Sequence, residues 1–124
     1  MPVRIVFCED EPIIRKLIGL SLRGTPHEFR MAAGGSEALD LVRRWRPDVL
    51  ITDVAMPGMD GLQLAAAVRA DGALRNLRIV FMTASVRREA AQAEEAGGRA
   101  AGHLRKPFGP AALRALLAAL DERG

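Results

Sequence analysis

Glu9, Asp10 and Glu11 follow one short apolar run of this sequence, and Asp53, Thr83 and Lys106 each follow another. Carboxylates, a hydroxyl and an ammonium placed this way would form one charged site if the runs end side by side. Two unit charges roughly 4 Å apart repel by about 4 kcal/mol at an effective dielectric of about 20, so Glu9, Asp10 and Asp53 together need a cation among them. All-oxygen ligands suit a hard divalent ion, Mg²⁺ first and Mn²⁺ as its substitute, which keeps some waters and accepts phosphate oxygens. Zinc is disfavoured, because Cys8 falls inside an apolar run and no Cys/His ligand spacing is present. A carboxylate beside such an ion, with a lysine and a hydroxyl to hold the oxygens of a transferred group, suits phosphoryl transfer onto the carboxylate. Asp53 is the natural acceptor, since it stands alone after a run that reads as a central strand. Taken singly, an Asp, Thr or Lys at a strand end is usually a cap or a solvated charge. Four at matched positions are not explained that way.

For these residues to meet, the runs before them must be neighbouring parallel strands. Residues 3–8, 49–52 and 79–82 are β-type runs with few polar interruptions, as expected of strands covered on both faces. Residues 28–33 are more polar and 103–104 very short, which predicts two sheet edges. Between the runs, apolar residues recur at helical spacing: Ile14, Ile18 and Leu22; Ala38, Leu41, Val42 and Trp45; Leu64, Ala65 and Val68; Leu113, Leu116, Leu117 and Leu120. Pro12 and Pro110 suit first helical turns, and Ser36 is read as the N-cap of the second helix, with Glu37 near its positive end. A fourth helix over about residues 86–96 offers mostly alanine to the sheet, so it is expected to be the most loosely held. Strand and helix alternating five times predict an α/β fold, a doubly wound five-stranded parallel sheet with helices on both faces. Ligands of such sheets bind beyond the C-terminal strand ends, where the charged residues stand.

With 124 residues, 49 % apolar and 27 % charged, the chain suffices for one domain over 1–124 and leaves no room for a second. One cysteine cannot form an internal disulfide, and no cationic start with a long apolar run marks export or membrane insertion, so a cytoplasmic protein without a membrane partner is expected. The net charge is only +3, and every cation except Lys16 and Lys106 is an arginine scattered between Arg4 and Arg123. Aromatic residues make up 4 %. Direct nucleic-acid binding, which favours a basic stripe and stacking rings, is not expected. Cys8 reads as a small buried apolar residue.

At four places the chain resembles a response regulator receiver domain, across essentially its whole length: Cys8-Glu9-Asp10-Glu11-Pro12, Asp53-Val54-Ala55-Met56-Pro57-Gly58-Met59-Asp60-Gly61, Met82-Thr83-Ala84 and Leu104-Arg105-Lys106-Pro107-Phe108. The resemblance implies a flavodoxin-like sheet of strand order 2-1-3-4-5. It implies that Asp53 accepts phosphate from a phosphohistidine on a sensor histidine kinase or a histidine phosphotransfer protein. Mg²⁺ would be bound by Asp10, Asp53 and the main-chain carbonyl of Ala55, with Glu9 acting through metal-bound water. Lys106 would pair with a phosphate oxygen, helped by the Thr83 hydroxyl and the Ala84 N–H, and the Lys106–Pro107 bond would be cis. Two residues depart from the family pattern: Glu9, where Asp is commoner, and His103, beside Thr83, where a Tyr or Phe usually serves with the threonine as the switch. The segment 96–102, rich in Gly and Ala, is slightly longer than usual.

These implications describe a stand-alone phosphoacceptor receiver of a two-component phosphorelay. It is a signalling switch rather than an enzyme with a diffusible substrate, although it assists its own phosphorylation and dephosphorylation. A downstream protein would meet the face formed by the fourth helix, the fifth strand and the last helix. The alternative is the N-terminal receiver of a longer regulator with a DNA-binding or enzymatic output domain. A haloacid-dehalogenase-type phosphatase also uses Asp and Mg²⁺ but needs a second acid two residues after the nucleophile, where this chain has Ala55.

Overall fold

The computed structural model describes residues 2–84 and 101–122. Its strands are β1 (Arg4–Cys8), β2 (Glu28–Ala32), β3 (Val49–Asp53), β4 (Arg78–Thr83) and β5 (Gly102–Arg105). Its helices are α1 (Pro12–Ser21), α2 (Gly35–Trp45), α3 (Gly61–Ala70) and α4 (Pro110–Glu122), with one 3₁₀ turn at Gly72–Leu74. All strands are parallel, in the order β2-β1-β3-β4-β5. The expected doubly wound sheet is therefore present, with the two sequences read as edges at its edges. The helix expected over 86–96 lies outside the described residues.

Every residue of β3 is buried, whereas the first three of β2 are exposed. That contrast follows the apolar content of the two runs, because a central strand is covered on both faces and an edge strand is not. On one face Val6, Cys8, Leu50, Ile79 and Phe81 pack against Ala38 and Val42 of α2 and Leu64, Ala65 and Val68 of α3. On the other, Ile5, Phe7, Ile51, Val80 and Met82 meet Ile18 of α1 and Leu113, Leu117 and Leu120 of α4. Each fully buried leucine contributes roughly 1.5–3 kcal/mol. The Arg114 guanidinium also donates to the carbonyl of Ser21 at 3.1 Å, tying α4 to the end of α1.

Helix starts follow backbone geometry more than side-chain caps. Pro12 occupies the first turn of α1 as expected. Ser36 is not the N-cap of α2: Gly34 is, and no side chain caps it. Gly35, the first helical residue, lies against Met59, where a Cβ would overlap that residue. Glu37 instead accepts the N–H of Ala33 at 3.2 Å. At α3, Asp60 and Gln63 form a reciprocal capping box that satisfies two backbone N–H groups.

Candidate functional site

The strand ends align because the ladders are in register. Cys8 pairs with Thr52 and Asp53 with Met82, so Glu9 and Asp10 emerge beside Asp53. The N–H of Lys106 donates to the carbonyl of Thr83 at 2.8 Å, carrying the β4–β5 pairing one step past the strand. The Lys106–Pro107 bond is cis. The Lys106 ammonium then lies 2.6 Å from Glu9 Oε1 and 3.0 Å from Asp53 Oδ2, bridging two strand ends. Glu9 is wholly buried and Asp53 is 8 % exposed.

Burial pushes the Glu9 carboxyl above its ordinary range, against the opposing pull of its hydrogen bonds from Lys106 and Glu11. Burial alone would lower Lys106, but its hydrogen bonds and charge pairing with Glu9 and Asp53 hold the ammonium above its usual value. The lysine is thus firmly cationic. Carboxylate oxygens of Glu9, Asp10 and Asp53 lie within 4.8 Å of one another. One ammonium faces these three acids, so the cluster keeps an excess of negative charge that a divalent cation would cancel. The hard oxygen donors suit Mg²⁺. Burial also pushes the nearby Cys8 thiol up to about 12, and its sulfur rests 3.5 Å from that of Met56. It behaves as an apolar side chain.

The loop after Asp53 turns back on the site. Gly61 donates its N–H to Val54 O at 2.8 Å and lies so close to Asp53 that a Cβ would overlap the Asp53 carbonyl. Thr83 is 1 % exposed at the end of β4, while Ala55 and Ala84 are exposed beside their strand ends. Glu9, Asp10, Asp53 and Lys106 are therefore brought together, and Thr83 stands on the adjoining strand. His103 pairs in register with Phe81, and Arg105 with Thr83, so His103 lies one alternation below Thr83 on the same face rather than directly beside it. Its ring centroid is 6.0 Å from that of Phe81. Two features were not anticipated from sequence: the direct Glu9–Lys106 contact, and the Arg15 guanidinium donating to the Glu9 carbonyl at 2.8 Å. The only local signal for the first is the extra methylene of Glu over Asp.

Residues 5–118 match the response regulator receiver domain family. The response regulator MprA of Mycobacterium sp. (strain KMS) is 36 % identical over 126 residues, covering 99 % of this chain and 52 % of that protein. The DNA-binding response regulator MtrA of Mycolicibacterium smegmatis is 34 % identical over 84 residues, covering 68 % of this chain and 36 % of its own. The chain spans about half the length, or less, of these curated relatives. Among solved structures, chemotaxis protein CheY4 of Vibrio cholerae superposes with a TM-score of 0.86 at 32 % identity, covering 97 % of this chain and 99 % of that one. The receiver domain of the sensor histidine kinase PA1611 of Pseudomonas aeruginosa PAO1, with a magnesium ion in its active-site cleft, gives 0.84 at 26 % identity, covering 97 % and 98 %. Sheet order, clustered acids, bridging lysine and these likenesses agree, and the chain belongs to the response regulator receiver domain family.

Proposed function

We propose that Asp53 accepts a phosphoryl group from a phosphohistidine on a sensor histidine kinase or a histidine phosphotransfer protein. The observation that carries this reading is the nearly buried Asp53 carboxylate, 3.0 Å from the Lys106 ammonium and clustered with Glu9 and Asp10. A carboxylate oxygen of Asp53 attacks phosphorus, the P–N bond breaks, and its electron pair leaves with the imidazole, forming an acyl phosphate. Lys106, the Thr83 hydroxyl and the Ala84 N–H would hold phosphoryl oxygens. Asp10, Asp53 and the Ala55 carbonyl would hold Mg²⁺, or Mn²⁺ in its place, which would neutralise the developing charge. Thr83 and His103 are the residues assigned to register the phosphate, and a downstream partner reads the face that includes β5 and α4.

The donor's docking surface follows from α1. Ile13, Leu17 and Leu20 are 73, 55 and 46 % exposed and fall on one helical stripe. Beside the stripe lies a recess of about 240 Å³ lined by Ile14, Leu17, Lys106, Pro107 and Phe108. Lys106 both lines this recess and contacts Asp53, so a protein seated on α1 can present its phosphohistidine to the acid. Coverage of only half of MprA supports a second reading, in which this receiver controls a separate output region of a longer regulator.

The test is labelling by acetyl phosphate, followed by intact mass. A phosphate adduct is expected with Mg²⁺, and none with EDTA or in Asp53→Ala. Undiminished labelling in either case overturns the assignment.

A further inference from the structure

We infer that β2 pairs with β2 of a second copy of this chain, antiparallel across a twofold axis at Phe29, joining two sheets into one. β2 stands at one end of the sheet order, so one side of the strand has no neighbour. The Glu28 N–H donates to Val3 O at 3.1 Å, and the Ala32 carbonyl accepts from Glu9 at 3.0 Å. Main-chain groups alternate sides along a strand, so Glu28, Arg30 and Ala32 serve the ladder with β1. The N–H and C=O of Phe29 and Met31 face outward, a template for one more strand. Glu28, Phe29 and Arg30 are all exposed along this edge.

The side chains select the partner and the register. Arg4, in register with Glu28, and Arg30 both stack on Trp45 of α2, at 4.3 and 4.6 Å from the ring centroid. Glu28 and Arg30 therefore lie on the α2 face of the strand, and Phe29 lies on the other, with its ring 6.2 Å from that of Phe7. Neither Glu28 nor Arg30 has an ion-pair partner among the described residues. Pairing centred on Phe29 sets Glu28 of each copy opposite Arg30 of the other, in the non-hydrogen-bonded positions where side chains approach most closely. Centring on Glu28 or on Arg30 would oppose like charges, which disfavours those registers. A recess of about 240 Å³ beside Arg30 is lined also by Leu41, Arg44 and Trp45, so a second guanidinium borders the place of the incoming carboxylate. One sign of charge along the edge would keep copies apart. The order Glu-Phe-Arg makes this edge complementary to itself. Because β5 closes the opposite end of the sheet, the pairing leaves β5, α4 and the acidic cluster of both copies open.

Sedimentation velocity of the whole chain at up to about 1 mM tests the pairing. Wild type should form a reversible dimer. Glu28→Arg and Arg30→Glu each place two like-charge pairs in the interface, and each should weaken self-association by about tenfold or more. Mixed in equal amounts, the two variants regain both opposite-charge pairs and should associate within about threefold of wild type. The double exchange Glu28→Arg/Arg30→Glu should do the same. Both positions are exposed and far along the sheet from Lys106, so every variant should fold and take label from acetyl phosphate at the wild-type rate. A wild type that stays monomeric at the highest concentration overturns the inference. So do single variants that associate as wild type does, or a mixture that associates no better than its components.

Discussion

At His103 the described structure leaves one polar atom without compensation. The ring lies in the position opposite Phe81, and its Nε2 is buried with no hydrogen-bond partner among the described residues. Such an atom costs about 1–3 kcal/mol. A phenyl ring of similar size carries no such atom and can keep the tilted contact with Phe81. His103→Phe is therefore expected to raise the stability of the unphosphorylated protein by about 1 kcal/mol in urea unfolding. A loss of stability would show that the imidazole is satisfied in solution. His27 is the contrasting case, since its Nδ1 accepts the N–H of Val3 at 3.0 Å and ties the start of β1 to the turn before β2.

Among the elements, α3 is held most directly to the acid it serves. Its first residue, Gly61, touches the Asp53 carbonyl, and its N-terminus is closed by the Asp60–Gln63 box. Gly61→Ala must push the helix away from β3 and should cost about 3 kcal/mol or more, the upper end of core overpacking. Asp60→Ala should cost only about 1 kcal/mol. Chemical denaturation of the two variants tests that order, and equal losses would contradict it. The elements were legible in sequence where one physical rule dominates: the leucines of α4 repeat at helical period, and the buried strands are continuous apolar runs. The start of α2 was not, because Gly34 caps it with no side-chain bond that a local signal could announce. The Asp60–Gln63 spacing is a local signal and could have been read. Positions of Asp10, Asp53 and Lys106 followed from the rule that parallel strands end on one edge. The Glu9–Lys106 bond joins residues 97 apart, beyond the reach of a local rule.

On the scale of the whole molecule, the fold buries apolar surface on both faces of the sheet yet leaves Ile13 and Leu17 in water on α1. Exposed apolar residues of this size in one stripe mark an interaction surface more often than a folding requirement. Leu17 also borders the recess at Lys106, so a partner seated on α1 would meet it beside the chemistry. Leu17→Glu removes an exposed apolar side chain, and its cost to folding should stay within about 0.5 kcal/mol. Labelling by acetyl phosphate, which needs no docking surface, should proceed at the wild-type rate. Transfer from a phosphorylated histidine kinase should slow by about tenfold or more, the equivalent of roughly 1.4 kcal/mol of lost apolar contact plus the burden of desolvating a new charge. Comparing the two donors on one preparation separates docking from chemistry. Equal slowing with both would place Leu17 in the architecture of the acidic site, and unchanged transfer from the kinase would move the docking surface off α1.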